Sequence, residues 1–272
     1  NKARWTDEEM PLTFLAKAKE FIENNKKQPF FLYYTLTEPH VPRMPSTIFK
    51  GKSNLGYRGD AILQMDWTVG EIMKQQESLG IAKNTMIIFS SDNGPVLNDG
   101  YEDEAVSKLN GHTPAGVLRG GKYSSFEGGT RVPLIVSWPS KTKTAVSDAL
   151  LSQIDFLASF SKMLNVKPKD MQTTDSEDML DVLLGKSKKG RTILVEQGIT
   201  SLAIIKDNWK YIEPNKGPAI NALTNIELGN NPLPQLYDLQ NDLSEKNNLA
   251  TQKPEIANEL ASLLRKIKVQ KD

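Results

Sequence analysis

The run from Thr85 to Pro95, TMIIFSSDNGP, constrains this chain more than any other stretch. Met86, Ile87, Ile88 and Phe89 form an apolar, β-rich segment that gives way to Ser90, Ser91, Asp92 and Asn93, and the chain then turns at Gly94 and Pro95. This is the pattern of a buried strand that delivers oxygen-bearing side chains at its end. Side chains alternate along a strand, but the Gly-Pro turn stops the alternation, so Asp92 and Asn93 can aim at one point. A carboxylate and an amide oxygen are hard donors suited to Ca2+, with Mg2+ as the alternative. The same residues also make an Asx-turn that does no more than close a strand, and Asp-Asn-Gly taken alone favours that plainer reading.

The stretches before this strand predict an α/β arrangement. Leu12, Leu15, Ala18, Phe21 and Ile22 recur at helical spacing behind Pro11, which predicts an amphipathic helix. PFFLYYTL follows, continuous enough in apolar and aromatic character to predict a strand buried on both faces. A second helix is predicted from about Arg58 to Leu79, with Ile62, Met65, Val69, Ile72 and Met73 as its apolar stripe. Strand, helix and strand in that order imply a right-handed βαβ unit with parallel strands. In that arrangement the loop TEPHVPRMP with His40 and the Asp92/Asn93 turn share one crevice beyond the strand ends. A helix packed on a sheet with no strand before it also reads as the middle of a fold.

Further along, a third strand is predicted near Val132 to Ser137 and a helix near Asp148 to Leu164. After about Lys167 the chain turns polar. A short helical pattern (Met179 to Leu184) and β-like runs at Thr192–Glu196, Leu202–Lys206, Trp209–Ile212 and Gln235–Leu239 then predict a small antiparallel sheet. Pro254 opens a last amphipathic helix carrying Ile256, Leu260, Leu263, Leu264 and Ile267. Residues 1–170 are thus expected to form part of a larger α/β domain, and residues 171–272 a small α+β subdomain.

Composition removes several function classes. The 272 residues are 38% hydrophobic and 25% charged with a net charge of +1, and the charges are interspersed, so no nucleic-acid or membrane-surface footprint is present. No apolar run reaches bilayer-spanning length and no targeting segment is visible. Cysteine is absent, which excludes disulfides, thiolate metal sites and cysteine nucleophiles among these residues. The first residue is Asn1 rather than Met, so the chain is expected to have been cut from a longer one.

Three further residues could carry chemistry. Gly116 to Lys122, GVLRGGK, approaches the phosphate-cradling pattern of nucleotide hydrolases, but Tyr123 stands where its Ser or Thr belongs and no strand precedes it. What survives is Lys122 on an open glycine-rich backbone, either a point charge for an oxyanion or a solvated surface lysine. His40, fixed between Pro39 and Pro42, is either a hydrogen-bonded spacer or a donor to a bound anion or leaving group. His112 either touches substrate or caps a turn.

These motifs together resemble the type I sulfatases of the alkaline phosphatase superfamily. The resemblance rests on EPHVP around His40, SDNG at Ser91–Gly94 and RGGKYSSFEGGTRVP at Arg119–Pro133. DNWKYI at Asp207–Ile212 and LYDLQNDLSEKNNLA at Leu236–Ala250 extend it. The third motif is the most specific, with a lysine five residues before Glu-Gly-Gly and an Arg-x-Pro after it. The resemblance implies a partial alkaline-phosphatase-like sheet flanked by helices, then a small α+β subdomain with an antiparallel sheet and a C-terminal helix. It implies hydrolysis of sulfate esters, on sulfated carbohydrate, by a formylglycine hydrate made from a Cys or Ser in a Cys/Ser-x-Pro-x-Arg motif. Asp92 and Asn93 match metal ligands, usually for Ca2+. Lys122 matches a sulfate-contacting lysine, His40 a histidine near the bridging oxygen, and Glu127 and Arg131 an ordering motif for the Lys122 loop.

The nucleophile motif and the paired aspartates of the first strand are missing, as are a further lysine and histidine. The chain is therefore expected to be the carboxy-terminal portion of such an enzyme, inactive without its amino-terminal half, which would be its partner. A periplasmic or extracellular location follows from the resemblance alone. The alternatives are a non-catalytic module of the same fold that binds a sulfated glycan or a partner protein, and a phosphate-ester hydrolase of the same superfamily.

Overall fold

A computed structural model of the chain describes residues 4–167 and 175–269. Two units divide it, residues 1–86 with 96–114 and residues 87–95 with 115–272. The boundary expected between residues 170 and 171 lies outside the described residues.

In the first unit, helix α1 (Met10–Asn25) has Pro11 in its first turn and buries Pro11, Leu15, Ala18 and Ile22. It packs on α2 (Gly56–Ser78), where Lys19 pairs with Glu71 at 3.0 Å and Gln75 donates to the Lys19 carbonyl at 2.8 Å. The period expected for α2 is right but its buried stripe is not: Ala61, Gln64, Thr68 and Gln76 face inward, while Met73 is exposed and Ile62, Met65, Val69 and Ile72 are half-buried. One of these positions goes to an amide because it satisfies buried backbone. The Gln64 side chain accepts from the Ser46 amide at 2.8 Å and donates to Glu38 at 2.5 Å.

The expected first strand differs as well. Residues 29–36 run outside any ladder among the described residues, with Phe31 73% and Tyr33 81% exposed. Among the described residues the parallel βαβ pairing is likewise absent. In the second unit the sheet partner of β1 (Ile87–Ser90) is β2 (Leu134–Ser137), antiparallel, with Ile88 opposite Val136. Ladder partners are set by non-local pairing, which element order alone does not specify.

Between β1 and β2 lies the short helix α3 (Glu127–Thr130). After β2, a 3-10 turn over Gln153–Asp155 leads into α4 (Phe156–Met163), and α5 is Leu180–Leu183. The antiparallel sheet expected in the carboxy-terminal part is present: β3 (Ile193–Gln197), β4 (Leu202–Lys206), β5 (Trp209–Ile212) and, after the small hairpin β6 (Ile220–Asn221) and β7 (Ile226–Glu227), β8 (Gln235–Asp238). Its order is β3-β4-β5-β8.

Both faces of this sheet are covered. The amphipathic helix α6 (Pro254–Val269) lays Ala257, Leu260 and Leu264 on one face, against Ile204, Tyr211 and Leu236. On the other face Ala203, Ile212 and Tyr237 pack against Phe126. The two-residue period of strands assigns these faces. It also aims Lys210 of β5 the same way as Ile212, toward the segment that contains Phe126.

Candidate active site

The turn after β1 is pinned by its own serines. Ser90 Oγ donates to the Pro133 carbonyl at 2.9 Å, and Ser91 Oγ to the Asn93 carbonyl at 3.0 Å. Gln153 Nε2 holds the Ser91 carbonyl at 2.6 Å. Asn93 Nδ2 donates to the Gly94 carbonyl at 2.9 Å, which turns Oδ1 away as a hard acceptor. Asp92 is exposed beside it. These two oxygen donors fit a divalent cation of the Ca2+ type, which takes oxygen ligands in numbers that one turn does not supply. No cluster of three or more His, Asp or Glu side chains in metal-binding array occurs among the described residues.

The Lys122 loop is fastened to this turn through backbone. The Lys122 amide donates to the Pro95 carbonyl and the Gly94 amide to the Gly129 carbonyl, each at 2.9 Å. Such contact requires glycine. A Cβ on Gly94 would lie 1.7 Å from the Gly128 carbonyl oxygen, one on Gly128 2.3 Å from the Arg119 carbonyl oxygen, and one on Gly129 2.3 Å from that of Ser124. Beside Lys122, whose Nζ lies 5.5 Å from the Tyr123 ring centre, Tyr123 itself takes φ +81°. A bulky residue in that region is strained, and strain of this kind concentrates at functional sites.

Beneath the loop lies a charged cluster that the sequence reading missed. Lys210 is 0% exposed, and its ammonium meets Glu127 Oε1 at 2.8 Å, Glu196 Oε2 at 3.1 Å and Glu245 Oε1 at 3.6 Å. Burial works against its charged form, but the three carboxylates outweigh that and hold it well above the ordinary lysine value. Burial likewise opposes ionisation of Glu127, yet Lys210 and Arg131 keep it below the usual range. Glu245, buried between the charges of Glu127 and Glu196, is pushed up to about 7 in spite of Lys210. The available signal was the alternation Trp-Lys-Tyr-Ile, which puts Lys210 on the same buried face as Ile212.

His40 and His112 lie in the first unit. His40 Nδ1 is 2.8 Å from the Val41 carbonyl, which can only accept. The ring therefore donates through Nδ1, which places the acceptor lone pair of the neutral ring on Nε2. Its loop is held by the buried Arg43, which donates to the carbonyls of Pro39 (3.1 Å), Val96 (2.7 Å) and Leu97 (3.1 Å) and pairs with Asp103 at 2.5 Å. A cavity of about 40 Å³ opens here, lined by Met10, Thr37, Glu38, His40, Arg43 and Ala61 among others. His112 Nδ1 lies 3.3 Å from Arg58 Nη1. A guanidinium has no acceptor, so the His112 ring accepts through Nδ1 and carries its hydrogen on Nε2. The structure thus brings Lys122 together with the Asp92/Asn93 turn in one unit and leaves both histidines in the other.

The Sulfatase family model matches residues 7–166. An N-acetylgalactosamine-6-O-sulfatase of Bacteroides thetaiotaomicron is 52% identical over 267 residues, covering 98% of this chain and 52% of that protein. Arylsulfatase A of Bos taurus is 28% identical, covering 95% of this chain and 52% of its own length. A solved structure described under the metabolism of multiple glycosaminoglycans by Bacteroides thetaiotaomicron superposes with a TM-score of 0.96 at 51% identity, over 98% of this chain and 56% of that one. The PsFucS1 sulfatase from Pseudoalteromonas sp. shares the fold, with a TM-score of 0.79 at 22% identity over 96% of this chain and 53% of its own.

The chain belongs to the sulfatase family. Its fold is the alkaline-phosphatase-like α/β fold that the motifs implied. It spans about half the length of these two curated relatives.

Proposed function

We propose that the protein containing this chain is a sulfuric ester hydrolase for sulfated carbohydrate, with 6-O-sulfated N-acetylgalactosamine as the leading substrate. The observation that carries the reading is the double backbone pinning of the Lys122 loop to the Asp92/Asn93 turn. Two backbone bonds join the segment that carries the lysine to the turn that carries the two oxygen donors. The N-acetylgalactosamine-6-O-sulfatase relative, 52% identical, supports the choice of sugar.

In this reading Lys122 pairs with a sulfate oxygen as a point charge, which stabilises negative charge as the ester bond breaks. His40, donating through Nδ1 to Val41, delivers a proton from Nε2 to the bridging oxygen of the leaving sugar. His112 donates Nε2–H to the substrate. Asp92 and Asn93 contribute two ligands to a divalent cation, Ca2+ in our reading, which would withdraw charge from the sulfate oxygens. The nucleophile, a formylglycine hydrate in this family, comes from outside residues 1–272. So do the remaining cation ligands, and the amino-terminal half of the same protein is the partner that supplies both.

Residues 1–170 then form the carboxy-terminal part of the catalytic α/β domain and residues 171–272 its small companion. The location we propose is periplasmic or extracellular. No helix among the described residues is long and apolar enough to cross a membrane. The test is sulfate release from N-acetylgalactosamine 6-sulfate by the whole protein, beside the matching 6-phosphate. Release from the phosphate alone would favour a phosphate-ester hydrolase, and release from neither a binding module.

A further inference from the structure

We propose that Lys210 is a positioning residue, the buried anchor that sets where the Lys122 loop and the Asp92/Asn93 turn stand. The proposal rests on the sulfatase reading only for the consequence to turnover; the anchoring itself is a statement about the chain.

β5 is covered on both faces, and an apolar side chain the size of methionine would fill the Lys210 position. Replacing a whole buried ion cluster by well-packed hydrophobes is often neutral or even stabilising, whereas removing one partner alone is strongly destabilising. Stability alone therefore gives no reason for a lysine ringed by three glutamates. Direction does, because an ammonium fixes the carboxylates around it and each carboxylate here belongs to a different element.

Glu196 comes from β3, Glu127 opens α3, and Glu245 follows β8. Glu127 is gripped twice: its side chain reaches Lys210 at 2.8 Å and Arg131 at 3.2 Å, and its backbone amide donates to Glu245 Oε2 at 2.6 Å. The far end of the same loop reaches the same residue, since Arg119 Nη1 donates to the Glu245 carbonyl at 2.8 Å. Arg119 also holds Glu227 through two nitrogens, at 2.8 and 2.9 Å, and lies 4.1 Å over the Phe126 ring. The loop is closed by the Gly128 amide on the Arg119 carbonyl at 2.7 Å.

From that closed loop the two bonds already described run outward, Lys122 to Pro95 and Gly94 to Gly129. The path from Lys210 to the Asp92/Asn93 turn thus passes through Glu127 and the Gly94–Gly129 bond, and the path to Lys122 through Glu127 and the bond from Gly128 to Arg119. Glu245 itself takes φ +50°, a cost that this double attachment offsets.

The experiment compares amide hydrogen exchange in the wild-type protein, Lys210→Met and Glu127→Gln. The proposal expects the Lys122 and Gly94 amides to lose about tenfold more protection than the β4 and β5 ladder amides in both variants. Unchanged loop protection overturns it. So does an equal loss throughout the ladder, or failure of both variants to fold, because Lys210 would then be a general stability residue.

In the whole protein, Lys210→Met should also lower kcat for a sulfate ester by about tenfold with KM little changed, as misplacement of a catalytic group does. A loosened loop with unchanged kcat would keep the anchoring and count against the sulfate role assigned to Lys122.

Discussion

Replacing Glu245 by glutamine should make the protein more stable at high pH and leave it little changed at low pH. Glu245 is fully buried, and its surroundings raise its carboxyl from 4.5 to about 7. The cause is burial first, with the charges of Glu127 and Glu196 adding to it and Lys210 opposing it. The native chain therefore holds the Glu245 proton more tightly than the unfolded chain does. The stabilisation is fully present below the unfolded value and is lost as pH rises through about 7.

At about 1.4 kcal/mol per pH unit between the two values, the loss from pH 5 to pH 8 is on the order of 2.5 kcal/mol. Glutamine has the shape of the protonated acid, can still accept the Glu127 amide, and does not titrate. The gap between variant and wild type should therefore widen by that amount over the same range. Urea unfolding of both proteins at pH 5, 6, 7 and 8 measures it. A gap that stays constant with pH, or narrows as pH rises, would refute the reasoning.

Other changes probe the geometry more directly. Gly94→Ala would put a methyl carbon 1.7 Å from the Gly128 carbonyl oxygen, so thermal unfolding should show a loss of about 3 kcal/mol. Asp92→Ala, an exposed substitution, should change stability by no more than about 0.5 kcal/mol and weaken Ca2+ binding by the whole protein in calorimetry. Unaltered affinity would take Asp92 out of the metal site. His40→Ala should slow sugar sulfates far more than activated aryl sulfates, whose leaving groups need no proton, and equal losses would argue against proton donation.

Local physics made much of this molecule readable. The strands Leu202–Lys206 and Trp209–Ile212 fall where their β-rich runs predicted, because the two residues between them form a tight turn with Asp207 at φ +55°. The final helix was equally plain from its apolar stripe behind Pro254. The glycines of Glu-Gly-Gly were legible as a motif, but their reason, a carbonyl oxygen where each Cβ would stand, is tertiary. Pairing was the least legible. Nothing local in Ile87–Ser90 tells that its neighbour is the later, antiparallel Leu134–Ser137 rather than the earlier run at 29–36. The inward face of α2 was misjudged because Gln64 is buried for its hydrogen bonds, which a hydrophobic pattern does not register. Lys210 escaped for the same reason: a lysine in a strand reads as exposed until its three carboxylates, drawn from distant parts of the chain, are brought around it.

The proposed contact of Lys122 with the sulfate is tested most directly by steady-state hydrolysis of N-acetylgalactosamine 6-sulfate by the whole protein and its Lys122→Ala variant, with thermal unfolding run in parallel. The expected result is a fall in kcat of at least about a hundredfold, as for removal of a transition-state charge partner, with stability within about 0.5 kcal/mol of wild type. Full turnover in a folded Lys122→Ala protein would contradict it.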